Sequence, residues 1–199
     1  SLRVELKSRG YVFRTRSDTE VILNLYHAEG VAAFARLHGM FAIAIHDPRS
    51  NELILARDQV GIKPLYIAEH DGEFLFASEI KAILAALPGR PAIDPQAVWD
   101  YLSLRFMAPD RTIWAGIGKL GPGQMLRRNL GDGRQTIETY WRADLTPGAL
   151  EPGRDYAREF ADQFIAAVDS HIVAADVPVG AFLSGGLDSG AIVAAASEL

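Results

Sequence analysis

The residues with the clearest capacity for chemistry are Ser184-Gly185-Gly186-Leu187-Asp188-Ser189, set between an apolar run and an alanine-rich stretch. Two glycines let the backbone approach a ligand closely. The first N–H groups of a following helix would point into the turn, and two hydroxyls add donors, which makes a cradle for a phosphate-like anion. A helix end alone contributes about 0.3–2 kcal/mol, so a polyphosphate needs several such donors and a cation. Asp188 suits that cation: a carboxylate facing a phosphate is repulsive unless Mg2+ lies between them. A plain tight turn with Ser184 or Asp188 capping the helix would use the same residues; the strand expected before and the helix after favour the cradle. No Lys-Ser/Thr pair follows, so this is not a Walker A loop, and Phe182 stands where a nucleophile elbow needs glycine.

Other candidates are weaker. Gly116-Ile117-Gly118-Lys119-Leu120-Gly121 has dinucleotide-loop spacing, but no apolar strand leads in and Pro122-Gly123 follows where a helix should begin. The histidines at 27, 38, 46, 70 and 171 lack metal-ligand spacing. With no cysteine, these residues offer no disulfide, thiolate zinc site or cysteine nucleophile.

The elements that must position the chemistry follow from pattern. Ser17-Asp18-Thr19-Glu20 is a capping box, with the Ser17 hydroxyl and the Glu20 carboxylate taking up unpaired N–H groups. Val21, Ile22, Leu25 and Tyr26 continue at helical spacing, and Gly30 closes the helix. Apolar runs at 40–45, 53–56, 65–68 and 74–77 are divided by turn formers, among them the hairpin signal Asp71-Gly72, and predict an antiparallel meander. Residues 40–45 are apolar throughout, which predicts a strand covered on both faces, as between stacked sheets.

Helices are expected over 80–87 and 95–104, the second capped by Asp94 with Pro95 first, and strands over 124–129 and 135–141. Residues 143–153, with Pro147-Gly148 and Pro152-Gly153, read as a connector. Beyond it Tyr156, Phe160, Phe164, Val168 and Ile172 recur every fourth position on a long amphipathic helix. A short buried strand at 177–183 and a helix after Gly190 would then form half of a parallel α/β unit.

Composition narrows the function classes. Of 199 residues, 49% are hydrophobic and 23% charged, as in a packed globular protein rather than a disordered one. No apolar run approaches the roughly 18 residues that span a bilayer. Twenty basic residues against 25 acidic ones, net −5 and scattered, argue against a nucleic-acid partner. The start lacks a secretory pattern, which together with the absence of cysteine points to the cytoplasm. Ser1 opens straight into Leu2-Arg3-Val4 without a methionine and reads as the cut end of something longer.

The Ser184 to Ser189 motif resembles the pyrophosphate loop of the ATP-pyrophosphatase family, whose members activate a carboxylate or carbonyl as an adenylate. Upstream, Ser17-Asp18-Thr19-Glu20-Val21-Ile22-Leu23, Gly39-Met40-Phe41-Ala42, Arg57-Asp58-Gln59-Val60-Gly61-Ile62-Lys63-Pro64-Leu65-Tyr66, Ala77-Ser78-Glu79-Ile80-Lys81-Ala82 and Val177-Pro178-Val179-Gly180 resemble, in order, the glutamine-hydrolysing asparagine synthetase family. The resemblance covers nearly the whole chain. It implies an α+β, Ntn-hydrolase-like glutaminase domain over residues 1–142, made of stacked antiparallel sheets with outer helices. A linker at 143–153 and the start of an α/β ATP-binding synthetase domain at 154–199 follow from it.

The implied activity is ATP-dependent transfer of ammonia from glutamine to aspartate through an acyl-adenylate, with AMP and pyrophosphate released. Implied site residues are Asp18, for the α-amino group of glutamine, and Leu183, Ser184, Gly185, Gly186, Asp188 and Ser189, for the pyrophosphate of ATP. Asp188 would also hold Mg2+. From the residues alone, Asp18 is better explained as an acidic group in a first helical turn, and the resemblance tips it towards glutamine binding. Glutamine, aspartate and ATP are the implied partners, with no nucleic acid or membrane, and the full-length protein would be a homodimer. The family's N-terminal cysteine nucleophile and Asn-Gly-Glu oxyanion motif are not among these residues, so the chain reads as a fragment without a catalytic residue of its own. Arg57 and Asp58, family markers able to pair, are assigned to the shape of a strand connection. The same scaffold could instead serve another carboxylate, or the chain could be a noncatalytic binding module.

Overall fold

The computed structural model describes residues 1–148, 151–173 and 177–199, in two compact units, Ser1–Ala143 and Asp144–Leu199. The first unit runs α1 (Leu2–Ser8), α2 (Asp18–Glu29), a 3-10 stretch (Gly30–Arg36), β1 (Ala42–Asp47), β2 (Glu52–Arg57), β3 (Tyr66–His70), β4 (Glu73–Ala77), α3 (Ile80–Ala86), α4 (Pro95–Leu104), β5 (Ile117–Lys119), β6 (Gln124–Asn129) and β7 (Gln135–Thr139). Its strands form two antiparallel sheets, ordered β1-β2-β6-β7 and β4-β3-β5.

Alternation along the strands builds the layers. Ile54 and Ala56 of β2 face Leu6, Leu25, Tyr26 and Phe34 of the helical segments. Leu53 and Leu55 point the other way, into a cluster with Leu65, Leu120, Ile67 and Phe74 between the sheets. The outer face of the second sheet, through Tyr66, Ala68 and Leu75, packs on Ile80 and Ile83 of α3. The order is helix, sheet, sheet, helix, the stacked arrangement expected. Burial of a side chain such as Leu55 or Phe34 is worth about 1.5–3 kcal/mol. Arg128 of β6 ties the sheets together, its guanidinium 3.0 Å from Glu69 of β3 and 4.8 Å from the centre of the Phe74 ring.

Local signals landed where they were expected. Asp71 and Gly72 both have positive φ, 50° and 80°, the two-residue turn that matches strand twist. Asp94 Oδ1 accepts from Gln96 N at 2.9 Å, with Pro95 at the first helical position.

Several expectations need correction. Consecutive strands do not form one meander: β1-β2 and β3-β4 are hairpins in different sheets, because residues 58–64 carry the chain across the sandwich. Strand β1 is not covered on both faces; it is an edge strand with Ala44 and His46 exposed, and β2 is the buried one. Glu20 does not reach back to the Ser17 N–H as a capping box would; it accepts from Arg14 N, Thr15 N and the Thr15 hydroxyl, while Ser17 Oγ accepts from Thr19 N. Strand β5 lies in the segment with dinucleotide spacing, where Gly118 leaves room for Asp110 O, 3.2 Å from where a Cβ would stand.

The second unit comprises α5 (Tyr156–Val173) and α6 (Leu187–Glu198). Residues 177–183 form no strand, and Phe182 is fully exposed. A strand needs a ladder partner, and among the described residues of this unit none is present. Helix α6 begins at Leu187 rather than after Gly190, so Asp188 and Ser189 belong to its first turn. Of the expected connector at 143–153, residues 149–150 lie outside the described residues.

One buried group predicts a pH response. Asp47, 6% exposed, accepts from the Arg49 guanidinium at 2.7 and 2.9 Å, from Arg49 N at 2.9 Å and from Tyr26 Oη at 3.0 Å. The Arg49 side chain, with the other donors, holds this carboxyl well below its usual 3.8. A folded-state pKa below the unfolded value stabilises above that unfolded value and is lost as pH falls through the folded one. Asp47→Asn should therefore lower Tm at neutral pH and flatten the fall in Tm below about pH 4. Equal losses at neutral and strongly acidic pH in thermal melts would contradict this.

Candidate functional site

The loop before α2 is pinned from two sides. The Arg3 guanidinium donates to the carbonyls of Thr15 and Ser17, both at 2.8 Å, and sits 4.4 Å from the centre of the Phe13 ring. Glu20 holds the N–H groups of Arg14 and Thr15 from the other side. Those bonds, the Arg14 N–H foremost, keep the Glu20 carboxyl below its usual range. The consequence is a fixed position for Asp18, the exposed first residue of α2. Among the described residues its carboxylate has no side-chain hydrogen bond or ion pair, so it can take a cationic group from solution.

Next to it, Thr19, Ile22 and Leu23 of the same helix line a cleft of about 630 Å³. The opposite boundary is the run from Met40 to His46, and Lys63, Pro64 and Ser78 complete it. Seven consecutive residues of one segment can line a cleft only along a strand edge, since successive side chains alternate faces. Asp18 is not itself a lining residue.

Lys63 and Pro64 are held by two buried groups. The Asp58 carboxylate, fully buried, accepts from Ile62 N at 2.8 Å, Lys63 N at 2.9 Å and Phe41 N at 3.3 Å. The Arg57 guanidinium donates to the carbonyls of Lys63, Leu120 and Gly61 at 2.6–2.7 Å. Contrary to expectation the two side chains do not pair with each other; each is saturated by backbone groups. Gly61 is required at this turn: its φ is +71° and a Cβ would stand 2.9 Å from Pro122 Cγ. Sequence reasoning assigned these residues to shape alone and missed that the shape is a wall of the cleft. The signal was Arg-Asp placed directly before Gly61-Ile62-Lys63-Pro64.

In the second unit the predicted residues stay together. Leu183 is exposed and Gly185 takes φ +80°, which favours glycine. Ser184 Oγ lies 3.0 Å from Ser189 Oγ, and Ser189 Oγ donates to Gly186 O at 3.1 Å. Gly186 is the N-cap of α6 with ordinary φ −81°, and no side chain caps that helix end. Gly186 is therefore not demanded by backbone strain. A Cβ there would meet nothing closer than Ser184 Oγ at 3.5 Å, so its absence opens space beside the first N–H groups of α6. Asp188 stands in that first turn with its side chain exposed. Asp18 and this loop lie in separate units.

Comparison with known proteins supplies the family. Residues 1–141 match the glutamine amidotransferase domain family and residues 159–199 the asparagine synthase family. Asparagine synthetase [glutamine-hydrolyzing] 1 of Bacillus subtilis is 39% identical over 197 residues, covering 99% of this chain and 30% of that protein. A putative asparagine synthetase [glutamine-hydrolyzing] of Mycobacterium tuberculosis is 38% identical over 98% of this chain and 31% of that protein. Among solved structures, the glutamine phosphoribosylpyrophosphate amidotransferase of B. subtilis aligns over 100% of this chain and 41% of that one, with TM-score 0.49 and 19% identity. The chain thus spans about 30% of the length of the curated relatives it matches. On its match over residues 1–141, the chain belongs to the glutamine amidotransferase domain family, and it is joined to an asparagine synthase match from residue 159 onward.

Proposed function

We propose that this chain is part of a longer glutamine-dependent, ATP-driven amide ligase that makes asparagine from aspartate. The observation that carries this reading is that one chain matches both a glutamine amidotransferase domain and an asparagine synthase, in that order. The first unit would bind glutamine, Asp18 taking its α-ammonium through a charge-assisted hydrogen bond that selects an amino acid over a simple amide. Hydrolysis of the side-chain amide gives glutamate and ammonia. The nucleophile for that step is not among these residues, which contain no cysteine.

In the synthetase part, an aspartate carboxylate oxygen attacks the α-phosphorus of ATP and pyrophosphate leaves. Ammonia then attacks the acyl carbon and AMP departs with the attacking oxygen. Ser184, Gly185, Gly186 and Ser189, with the uncapped N–H groups of α6, would cradle the leaving pyrophosphate, and Leu183 leads the backbone into the turn. These groups suit an anion, and Asp188 suits a hard cation beside it. Mg2+ held there would offset charge on the phosphates. Residues 143–153 would serve as the connector between the two functions, and the site of action would be the cytoplasm, in a homodimer.

The test uses a full-length protein containing this chain, supplied with amide-15N glutamine, carboxylate-18O aspartate and ATP. The expected products are 15N-asparagine, pyrophosphate and AMP carrying 18O. ADP and phosphate as products would overturn the adenylate, and amidation of another carboxylate in preference to aspartate would overturn the acceptor.

A further inference from the structure

We propose that Arg57 and Asp58 are positioning residues for the glutamine cleft, setting the separation between its Lys63–Pro64 wall and its Phe41–Ala42 wall. The inference rests on the reading of the first unit as the glutamine-hydrolysing part, and it deepens that reading by assigning glutamine to the cleft that Thr19, Ile22 and Leu23 line beside Asp18.

The geometry is specific. One carboxylate oxygen, Asp58 Oδ2, accepts both Lys63 N at 2.9 Å and Phe41 N at 3.3 Å. A single atom thus bridges the two walls, while Oδ1 holds Ile62 N at 2.8 Å. The backbone repeats the connection, since Asp58 N donates to Phe41 O at 2.9 Å. From the other side Arg57 gathers the carbonyls of Gly61 and Lys63, and its third branch anchors the turn to Leu120 O at 2.7 Å. The turn is gripped through its N–H groups by an anion and through its carbonyls by a cation.

Two buried opposite charges adjacent in sequence would ordinarily be expected to neutralise each other, and an apolar pair would often stabilise the core as well or better. Here both spend their hydrogen bonds on one turn. That arrangement costs desolvation of two charges, and what it yields is a backbone with fixed coordinates at a cleft wall. Charge-assisted bonds are short and directional, so they suit this purpose better than apolar packing. Among the described residues β1 pairs with β2 alone, and the Asp58 bonds hold the Phe41 end of that pairing against the turn.

The experiment measures glutamine hydrolysis and ammonia-dependent asparagine formation in the full-length protein. Asp58→Asn keeps size but turns one acceptor into a donor facing an N–H. Arg57→Lys keeps charge but loses the fork that reaches three carbonyls. A wall displaced by about 1 Å can cost roughly 100-fold in rate. Each variant should therefore lose at least about tenfold in kcat/KM for glutamine, with ammonia-dependent synthesis within about twofold of the parent. Parental kcat/KM in folded variants overturns the clamp alone. A parent that forms asparagine from ammonia but never hydrolyses glutamine overturns the functional reading, and the catalytic role of the clamp with it.

Should both variants fail to fold, amide hydrogen exchange in the unaltered chain decides. Phe41, Ile62 and Lys63 should exchange slowly and at a common rate, as groups released by one opening event. Exchange of Phe41 at the rate of an exposed amide would overturn the proposal.

Discussion

Asp188→Asn, placed in a full-length protein containing this chain, is expected to lower ATP-dependent amide formation by roughly 100-fold, because charge stabilisation by a bound cation is worth several kcal/mol and each 1.4 or so is tenfold. Glutamine hydrolysis should stay within about twofold of the parent, since its chemistry is assigned to the other unit. The side chain lies in the first turn of α6, where an acidic residue also interacts with the helix dipole for about 0.3–1 kcal/mol. If that were its only role, the variant would melt slightly earlier and synthesise amide at the parental rate. Gly186→Val separates charge from space. The φ of −81° admits valine and the fold has room for a Cβ, so stability should hold while phosphate approach is blocked. Parental synthesis by both variants at subsaturating ATP would reduce the loop to a turn.

The second large effect is expected at Asp18. Asp18→Asn should raise the KM for glutamine roughly 10- to 100-fold, the equivalent of one charge-assisted hydrogen bond of about 1.5–3 kcal/mol. Synthesis from an ammonium salt should be unaffected, because it bypasses the glutamine site. The pinned loop from Arg14 to Ser17 makes the measurement clean: Glu20, Arg3 and the Ser17 cap, none of them altered, hold the helix start. An unchanged KM with a fall in Tm would mean that the carboxylate serves only the helix.

What could be read in advance tracks how local its cause is. Asp71-Gly72 and Asp94-Pro95 state their structure within two residues, through positive φ in one case and a fixed φ with a side-chain acceptor in the other. The separation of β2 from β3 into different sheets was not legible, since each takes its second partner, β6 and β5 respectively, from far along the chain. Strand β5 was hidden by its three-residue length and its glycine. The run at 177–183 reads as a strand from its apolarity, but a strand forms only beside a ladder partner, and none is present among the described residues of this unit. At the site, the motif around Asp18 was visible, but the bonds by which Glu20 and Arg3 fix the loop before it were not, since they join residues outside the capping pattern. Likewise the chemical importance of Asp58 emerges only when Phe41 and Lys63 are brought to one oxygen.

The interleaving of the two sheets bears on how the protein is made. Hairpins β1-β2 and β3-β4 can close as soon as they leave the ribosome, but β3 gains its second partner only with β5, and β2 only with β6, with β7 completing the first sheet after that. Glu52 and its ion-pair partner Arg127 are 75 residues apart, a wait of roughly 4–15 s at about 5–20 residues per second. During that interval the inner faces carrying Leu53, Leu55, Ile67 and Phe74 have no lasting cover. The translation rate between β4 and β6 thus sets how long two adhesive half-sheets remain open to neighbouring chains.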